Sequence, residues 1–270
     1  MQDIRIAIVT ANARIGDTAQ NLERISRWVK NARKAEASLI CLPEMQISGY
    51  QNSPAIRELA QSVPGPAVRS LETLARKENM TILAGLAEAA AGNRLYAAHL
   101  VIEPDGLCGG YRKTHPGPPE REIFTPGDSV PVFDTKHLRF GIQLCYDAHF
   151  PELATAMALK GAEALFIPHA SPGANPTEKM DSWMRHLPAR AFDNSLFVIA
   201  CNQAGDNGTG LSFPGIALVL SPSGTVLASY AGAREHMMIV DLRAADLKAV
   251  RGHRMRCFLP NRRPELYKDG

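Results

Sequence analysis

The sequence predicts an α/β fold of stacked layers in a single domain. Three observations carry this. Short β-rich runs alternate with longer segments whose apolar residues recur every three or four positions. Most of the short runs are apolar throughout, so their sheets need cover on both faces. The chain has 270 residues, 45% of them hydrophobic, and no linker or repeat divides it.

The elements follow in order. IRIAIVTA, residues 4–11, reads as the first strand. From Thr18, the side chains of Leu22, Ile25, Trp28, Val29 and Ala32 share one helix face, and Asp17 with Gln20 suits a capping box. SLICLPE is a continuous apolar strand ending in an acid. PAVRSLETLARKENM is the next helix and TILAGLAEAA the next strand. Residues 94–113 read as a hairpin around Pro104-Asp105-Gly106. HLRFGIQLCYD is a strand leading to a helix with Pro151 at its first position and Gly161 past its end. EALFIPHA is a strand. Asn175, Pro176 and Glu178 start a helical segment through Asn194 that Pro188 kinks or splits. SLFVIACNQAG is a strand, IALVLSPSGTVLASY a hairpin, and HMMIVDL the last strand, with a short helix after it.

The formal charge of +3 is too small to argue for nucleic acid or a membrane surface as partner. The first residues read as a strand rather than a secretory signal. No apolar run approaches the roughly 20 residues that span a bilayer. Five cysteines, an odd number, do not make a disulfide framework, and neither a CxxC pair nor an HExxH is present. The expectation is a reduced, cytoplasmic, soluble protein.

Three strand ends carry reactive groups. Cys41 and Cys201 lie inside strand patterns and read as small buried hydrophobes. Cys145 instead sits where a strand gives way to the helix opening at Pro151. Turn amides there lower a thiol pKa and hold an oxyanion, so the residue reads as a nucleophile or as a structural thiol. Glu44 follows four apolar residues and a proline, and a desolvated carboxylate suits a general base as well as a loop cap. Lys113 ends a short strand before a Pro-rich loop that aims it into a cleft, while Arg112 reads as an ordinary solvated cation. A thiol, a carboxylate and an ammonium at strand ends are the parts acyl transfer needs.

Read in order, LPEMQISGY with Glu44, YRKTH with Lys113 and CYDAHFPE with Cys145 resemble the nitrilase or carbon–nitrogen hydrolase superfamily. FTPGD, GAEALFIPHA, the set Trp183, Arg190, Ala191 and Asn194, CNQAG and RRPELY extend the resemblance over the whole chain. It implies an α-β-β-α sandwich and a catalytic triad of Glu44, Lys113 and Cys145. A second glutamate falls on Glu120, with Glu122 the substitute, and a backbone N–H, that of Tyr146, helps hold the oxyanion. It implies no metal and no organic cofactor. It also implies pairing into a homodimer or larger homo-oligomer. Residues 1–250 would be the hydrolase domain, and the basic tail 251–270 would pack on a partner subunit.

The match has departures. Several relatives carry arginine where His149 stands, and a histidine lacks the fork of donors that binds an acid. His149 is expected to line the pocket or make a structural hydrogen bond. Asp147 braces the turn or meets a substrate amine. His169 shapes the pocket rim, and Trp183, Met184 and Phe192 read as core. Tyr146-Asp147 follows the cysteine where nitrile hydrolysers have Trp-Glu, so a small amide or N-carbamoyl substrate is preferred to a nitrile. Two other classes compete: a metal-dependent hydrolase on His115, His149 and His169, whose spacing matches no common ligand pattern, and a non-catalytic scaffold that retains the triad.

Overall fold

A strand buried on both faces must offer apolar side chains in both directions, and the first strand does so. In β1 (Ile4–Thr10), Ile6 and Ile8 join one core while Ala7 and Val9 join another. The architecture is that of a computed structural model describing residues 1–173 and 175–266. Tyr267 and the rest of the tail end lie outside the described residues.

β1 belongs to a seven-stranded sheet. Its other members are β2 (Leu39–Cys41), β3 (Gln61–Ser62), β4 (Thr81–Ala90), β5 (Arg94–Glu103), β6 (Gly106–Arg112) and β15 (His236–Leu242). The order is β15-β1-β2-β4-β5-β6, with β3 beside β4. β1, β2 and β4 are parallel, and two antiparallel steps through β5 bring β6 back to their direction. A six-stranded sheet repeats the plan: β14 (Val226–Ala231), β13 (Ile216–Leu220), β10 (Phe197–Asn202), β9 (Ala164–His169), β8 (Arg139–Ile142) and β7 (Val132–Asp134), in that order. Its central strands β8, β9 and β10 are parallel. β11 (Ala204–Asp206) and β12 (Ser212–Pro214) form a small separate ribbon.

The sheets pack face to face. Ile6, Ile8, Leu39 and Cys41 of the first meet Ile142, Phe166 and Cys201 of the second in one core. On the other face of the first sheet lie α1 (Thr18–Lys34) and α2 (Pro66–Glu78), which bury Ile25, Val29, Val68 and Leu71 against Ala7, Val9 and Ile40. Asp17 caps α1 by accepting the Gln20 amide at 3.1 Å. The second sheet is covered by α3 (Pro151–Leu159), α4 (Pro176–Met184) and α5 (Leu187–Asn194). This is the α-β-β-α sandwich the resemblance implied.

Three boundaries differ from the sequence reading. The strand expected to reach Asp147 ends at Ile142, and Cys145–His149 forms a 3-10 turn. The segment from Asn175 to Asn194 is two helices, with Pro188 in the first turn of α5, where its missing N–H costs nothing. That break turns Met184 and Phe192 outward, so only Trp183 of the expected core trio is buried. α6 (Ala244–Arg251) follows β15 and buries Leu247 and Val250. Arg251, first residue of the expected tail, donates to the carbonyls of Ser195 and Ala162. Among the described residues, no helix is long and apolar enough to cross a membrane.

Candidate active site

Parallel strands deliver their C-terminal ends to one edge, where α/β sheets place their chemistry. β2 stops at Cys41, and the Leu42 amide makes one more bond, to the Leu83 carbonyl at 3.0 Å. Glu44 then enters a turn in which Met45 takes φ +60°. Gly85 of β4 makes this turn possible. A Cβ there would stand 2.6 Å from the Met45 nitrogen and 2.8 Å from Nδ1 of the buried His99. The Glu44 side chain crosses to the other sheet, where its Oε2 accepts the Ala170 amide at 2.9 Å. Gln203 Nε2 donates to the Glu44 carbonyl at 2.7 Å. One carboxylate is thus fixed by the ends of β2, β9 and β10.

Lys113 leaves the end of β6. Its N–H donates to the Ala97 carbonyl and its own carbonyl accepts the Gly127 amide, each at 2.8 Å. Its Nζ lies 3.0 Å from Glu44 Oε1 and 2.8 Å from Glu120 Oε2. Glu120 is itself held by the Gly117 amide at 2.7 Å and the Tyr50 hydroxyl at 3.0 Å. All three charged side chains are buried. Glu122 is exposed, whereas Glu120 is the glutamate that pairs with Lys113. Arg112 is not merely solvated: Nε donates to the buried Glu88 at 2.8 Å and the guanidinium lies 4.2 Å from the Tyr96 ring centre.

Cys145 opens its turn with φ +47°, a left-handed conformation that costs a non-glycine residue about 1–2 kcal/mol. Asp147 holds that turn. Its carboxylate accepts the Leu144 amide and the Tyr111 hydroxyl on one oxygen, at 2.9 and 2.7 Å. The other oxygen takes the Thr114 hydroxyl and the His115 amide, both at 2.9 Å, and pairs with His115 Nδ1 at 2.8 Å. The donors come from both sides of Lys113, so Asp147 locks the lysine's strand end to the nucleophile turn. It braces, and its oxygens are committed. Arg190 Nε adds a bond to the Ala148 carbonyl at 3.0 Å.

Burial pushes the Glu44 carboxyl up to about 7; Lys113 opposes the shift and Glu120 adds to it. Burial likewise pushes the Cys145 thiol up to about 12, with Lys113 pulling it down and Glu44 and Glu120 raising it. Lys113 is buried too, which works against its charge, yet Glu44, Cys145 and Glu120 together hold it well above the usual range. At neutral pH the resting cluster therefore holds a thiol, an ammonium and a carboxyl poised to change state.

The other expected site residues have partners of their own. Tyr146 is half-buried, edge-on to His149 with ring centres 5.5 Å apart. His149 is exposed and its ring lies 4.6 Å from that of His186. His169 is buried 4.5 Å from the Trp183 ring, with Nδ1 donating to the Ile167 carbonyl at 2.7 Å. His115 stacks on Phe150 at 3.8 Å and is engaged by Asp147. The three histidines of the metal reading thus sit in three separate settings. Sequence reasoning missed Tyr50, Gln203, Tyr111 and Thr114. Tyr50 closes the LPEMQISGY stretch and Gln203 lies in CNQAG, so both were inside quoted segments without an assigned role.

Residues 5–252 match the carbon–nitrogen hydrolase family. A protein from Pyrococcus abyssi named nitrilase is 32% identical, over 98% of this chain and 99% of its own. An (R)-stereoselective amidase from Pseudomonas sp. is 31% identical, over 92% and 88% of the two chains. Among solved structures, a mutant amidase from Nesterenkonia sp. AN1 superposes with a TM-score of 0.84 at 26% identity, over 98% of this chain and 95% of that one. That structure shows the acetamide moiety of fluoroacetamide added covalently at the active-site cysteine.

Proposed function

Because the chain belongs to the carbon–nitrogen hydrolase family, we propose that it hydrolyses a small linear amide or N-carbamoyl compound through a thioester on Cys145. The supporting observation is the buried cluster in which Lys113 bridges Glu44 and Glu120 while all three charges act on the Cys145 thiol.

The chemistry follows from the resting charges. A thiol pushed up to about 12 holds little thiolate at neutral pH, so deprotonation must accompany attack. Glu44 takes the proton as sulfur bonds to the carbonyl carbon. The carbonyl oxygen gains the charge. Lys113, freed from a now-neutral Glu44, turns to it, and the Tyr146 N–H is the second donor. Each such donor lowers the barrier by roughly 3 kcal/mol. Glu44 then protonates the nitrogen, the C–N bond breaks, and ammonia or an amine leaves. Water attacks the thioester as Glu44 takes its proton. The C–S bond breaks, the sulfur recovers that proton, and the acid departs. Glu120 holds Lys113 and, by like charge, helps keep the Glu44 proton affinity high.

The test is ammonia release over small amides, N-carbamoyl compounds and nitriles, with Cys145→Ala as the blank. Amides or N-carbamoyl compounds should be turned over and the variant should be inert while folded by circular dichroism. Substantial hydrolysis by Cys145→Ala would remove the covalent route.

A further inference from the structure

A buried ionisable side chain beside the site takes no part in the reaction above. His99 lies in β5, is fully buried, and has no full hydrogen bond at either ring nitrogen. Ala97 and Val101, on the same face of the strand, belong to the core between the sheets. An apolar residue would fill such a place at less cost, because a buried imidazole gives up its water and regains nothing. Burial pushes His99 down to about 3, and the nearby Leu83 backbone, short of a full hydrogen bond, offsets part of the shift. The ring is therefore neutral at neutral pH, with one N–H to donate and one bare nitrogen to accept.

The position of the ring says what it faces. His99 pairs across the sheet with Gly85 of β4. A Cβ on Gly85 would meet both the Met45 nitrogen, at 2.6 Å, and His99 Nδ1, at 2.8 Å. The imidazole thus leans over β4 at its single glycine, toward the turn that carries Glu44 on the other side. That turn is fastened to β4 at both ends. The Leu42 amide donates to the Leu83 carbonyl at 3.0 Å, and the Ile47 amide to the Gly85 carbonyl at 2.9 Å. Between them Met45 takes φ +60°, and among the described residues its N–H reaches no backbone carbonyl. An unspent amide in a buried residue and a buried ring with an unused acceptor therefore flank one point.

We propose that His99 is a positioning residue for the general base: its Nδ1 accepts the Met45 N–H, and its ring, packed over Gly85, holds the left-handed turn that aims Glu44 at Lys113 and the Ala170 amide. The role of Glu44 as base rests on the hydrolase reading above; the contact rests on Gly85, Met45 and His99. The assignment fixes the tautomer, because a bare Nδ1 requires the proton on Nε2. It also accounts for the residue types. Glycine at position 85 gives the imidazole room to cross the strand, and a leucine at position 99 would fill the space but leave the amide unpaired. A turn loosened at Met45 moves the Glu44 carboxylate against both the sulfur and Lys113, and a misplacement of about 1 Å costs up to about a hundredfold in rate. His99 is buried beneath the turn, so it meets no substrate and its loss should fall on kcat rather than KM.

Two measurements test this, one of them without turnover. In protein isotopically labelled at the histidine nitrogens, the long-range proton–nitrogen spectrum at neutral pH should show His99, identified by its loss in His99→Asn, with Nδ1 bare and Nε2 protonated. An Nδ1–H tautomer leaves nothing to accept the Met45 amide and overturns the proposal. In turnover of the best amide found in the screen above, His99→Leu should lower kcat by about tenfold or more, with KM changed by less than about threefold. His99→Asn, whose Oδ1 falls near the place of Nδ1, should recover most of that loss. Wild-type kcat in His99→Leu, or equal losses in the Leu and Asn variants at matching thermal stability, overturns the proposal. Should His99→Leu fail to fold, the tautomer and the kcat of His99→Asn decide it: a bare Nδ1 with near wild-type turnover upholds the contact, and a folded but slow His99→Asn overturns it. A bare Nδ1 in a wild-type protein that hydrolyses no amide upholds the contact and overturns the hydrolase reading.

Discussion

At the scale of single residues, Glu44 is useful because it is poorly solvated. A general base works best when its pKa lies near the working pH, and burial has brought this one up to about 7. Glu44 must be deprotonated to accept the thiol proton, so kcat/KM should fall as pH drops through about 7. Three neighbouring imidazoles do not obscure that limb: burial lowers His169, partial desolvation with Arg190 and Lys179 lowers His149, and His186 lies at about 4. Lys113 stays charged and Cys145 stays a thiol on the acid side. The pH dependence of kcat/KM checks this, and an ascending limb near 4 would mean an ordinary solvated carboxylate. Glu44 and Cys145 were legible because each follows an apolar strand, and Lys113 because it ends a short strand before a Pro-rich loop, all local patterns. Tyr50 was not, because its partner Glu120 is 70 positions away and only folding brings the two within 3.0 Å. Gln203, 159 positions from Glu44, was hidden for the same reason.

At the scale of elements, the nucleophile turn depends on Asp147 more than on any strand. β8 ends three residues before Cys145; the Gln143 amide still bonds the Phe166 carbonyl, and one carboxylate then takes five donors, one from Leu144 and four from Tyr111, Thr114 and His115. A buried acceptor lost from such a set leaves its donors unpaired at about 1–3 kcal/mol each, reduced by rearrangement. Asp147→Ala should therefore lower stability by roughly 3 kcal/mol. It should also free the strand end carrying Lys113, so kcat should fall far more than KM rises. Asp147→Asn turns an amide donor toward the Leu144 N–H and should lose activity too, despite its matching shape. Thermal melts read the first effect. The rate of Cys145 alkylation by iodoacetamide, measured well below either transition, reads the second; an unchanged rate would confine Asp147 to a structural role. The sequence showed where this turn begins, since Pro151 marks the helix that follows. It did not show that the strand stops early, because Leu144, Cys145 and Tyr146 continue the apolar texture of the strand past its end at Ile142.

At the scale of the whole molecule, direction matters more than composition. β2 and β6 of one sheet and β8, β9 and β10 of the other end at a common edge, so residues spread from Glu44 to Gln203 converge without any long excursion of chain. The alternation of apolar runs and amphipathic helices made the layered class legible. The pairing order was not, because each central strand is apolar on both faces and fits any interior position. The outer surface carries a further consequence. Phe192 of α5 and Phe258 of the tail lie 5.3 Å apart and both are exposed, as are Met184, Leu159 and Met255. An exposed pair of large aromatic side chains is costly to leave in water and suits a contact with another chain. We propose that the protein pairs there, with the tail contributing to the partner subunit. Sedimentation equilibrium should then give twice the 29.3 kDa chain mass. Phe192→Asp and removal of residues after Gly252, which leaves α6 intact, should each shift the mass toward the monomer. A stable association needs about 800 Å² from each partner, so one charge placed at its centre should weaken it by 2 kcal/mol or more, about thirtyfold. A wild-type protein that sediments as a monomer at micromolar concentration, with the same Cys145-dependent activity, would show the apolar face and the tail serving this chain alone.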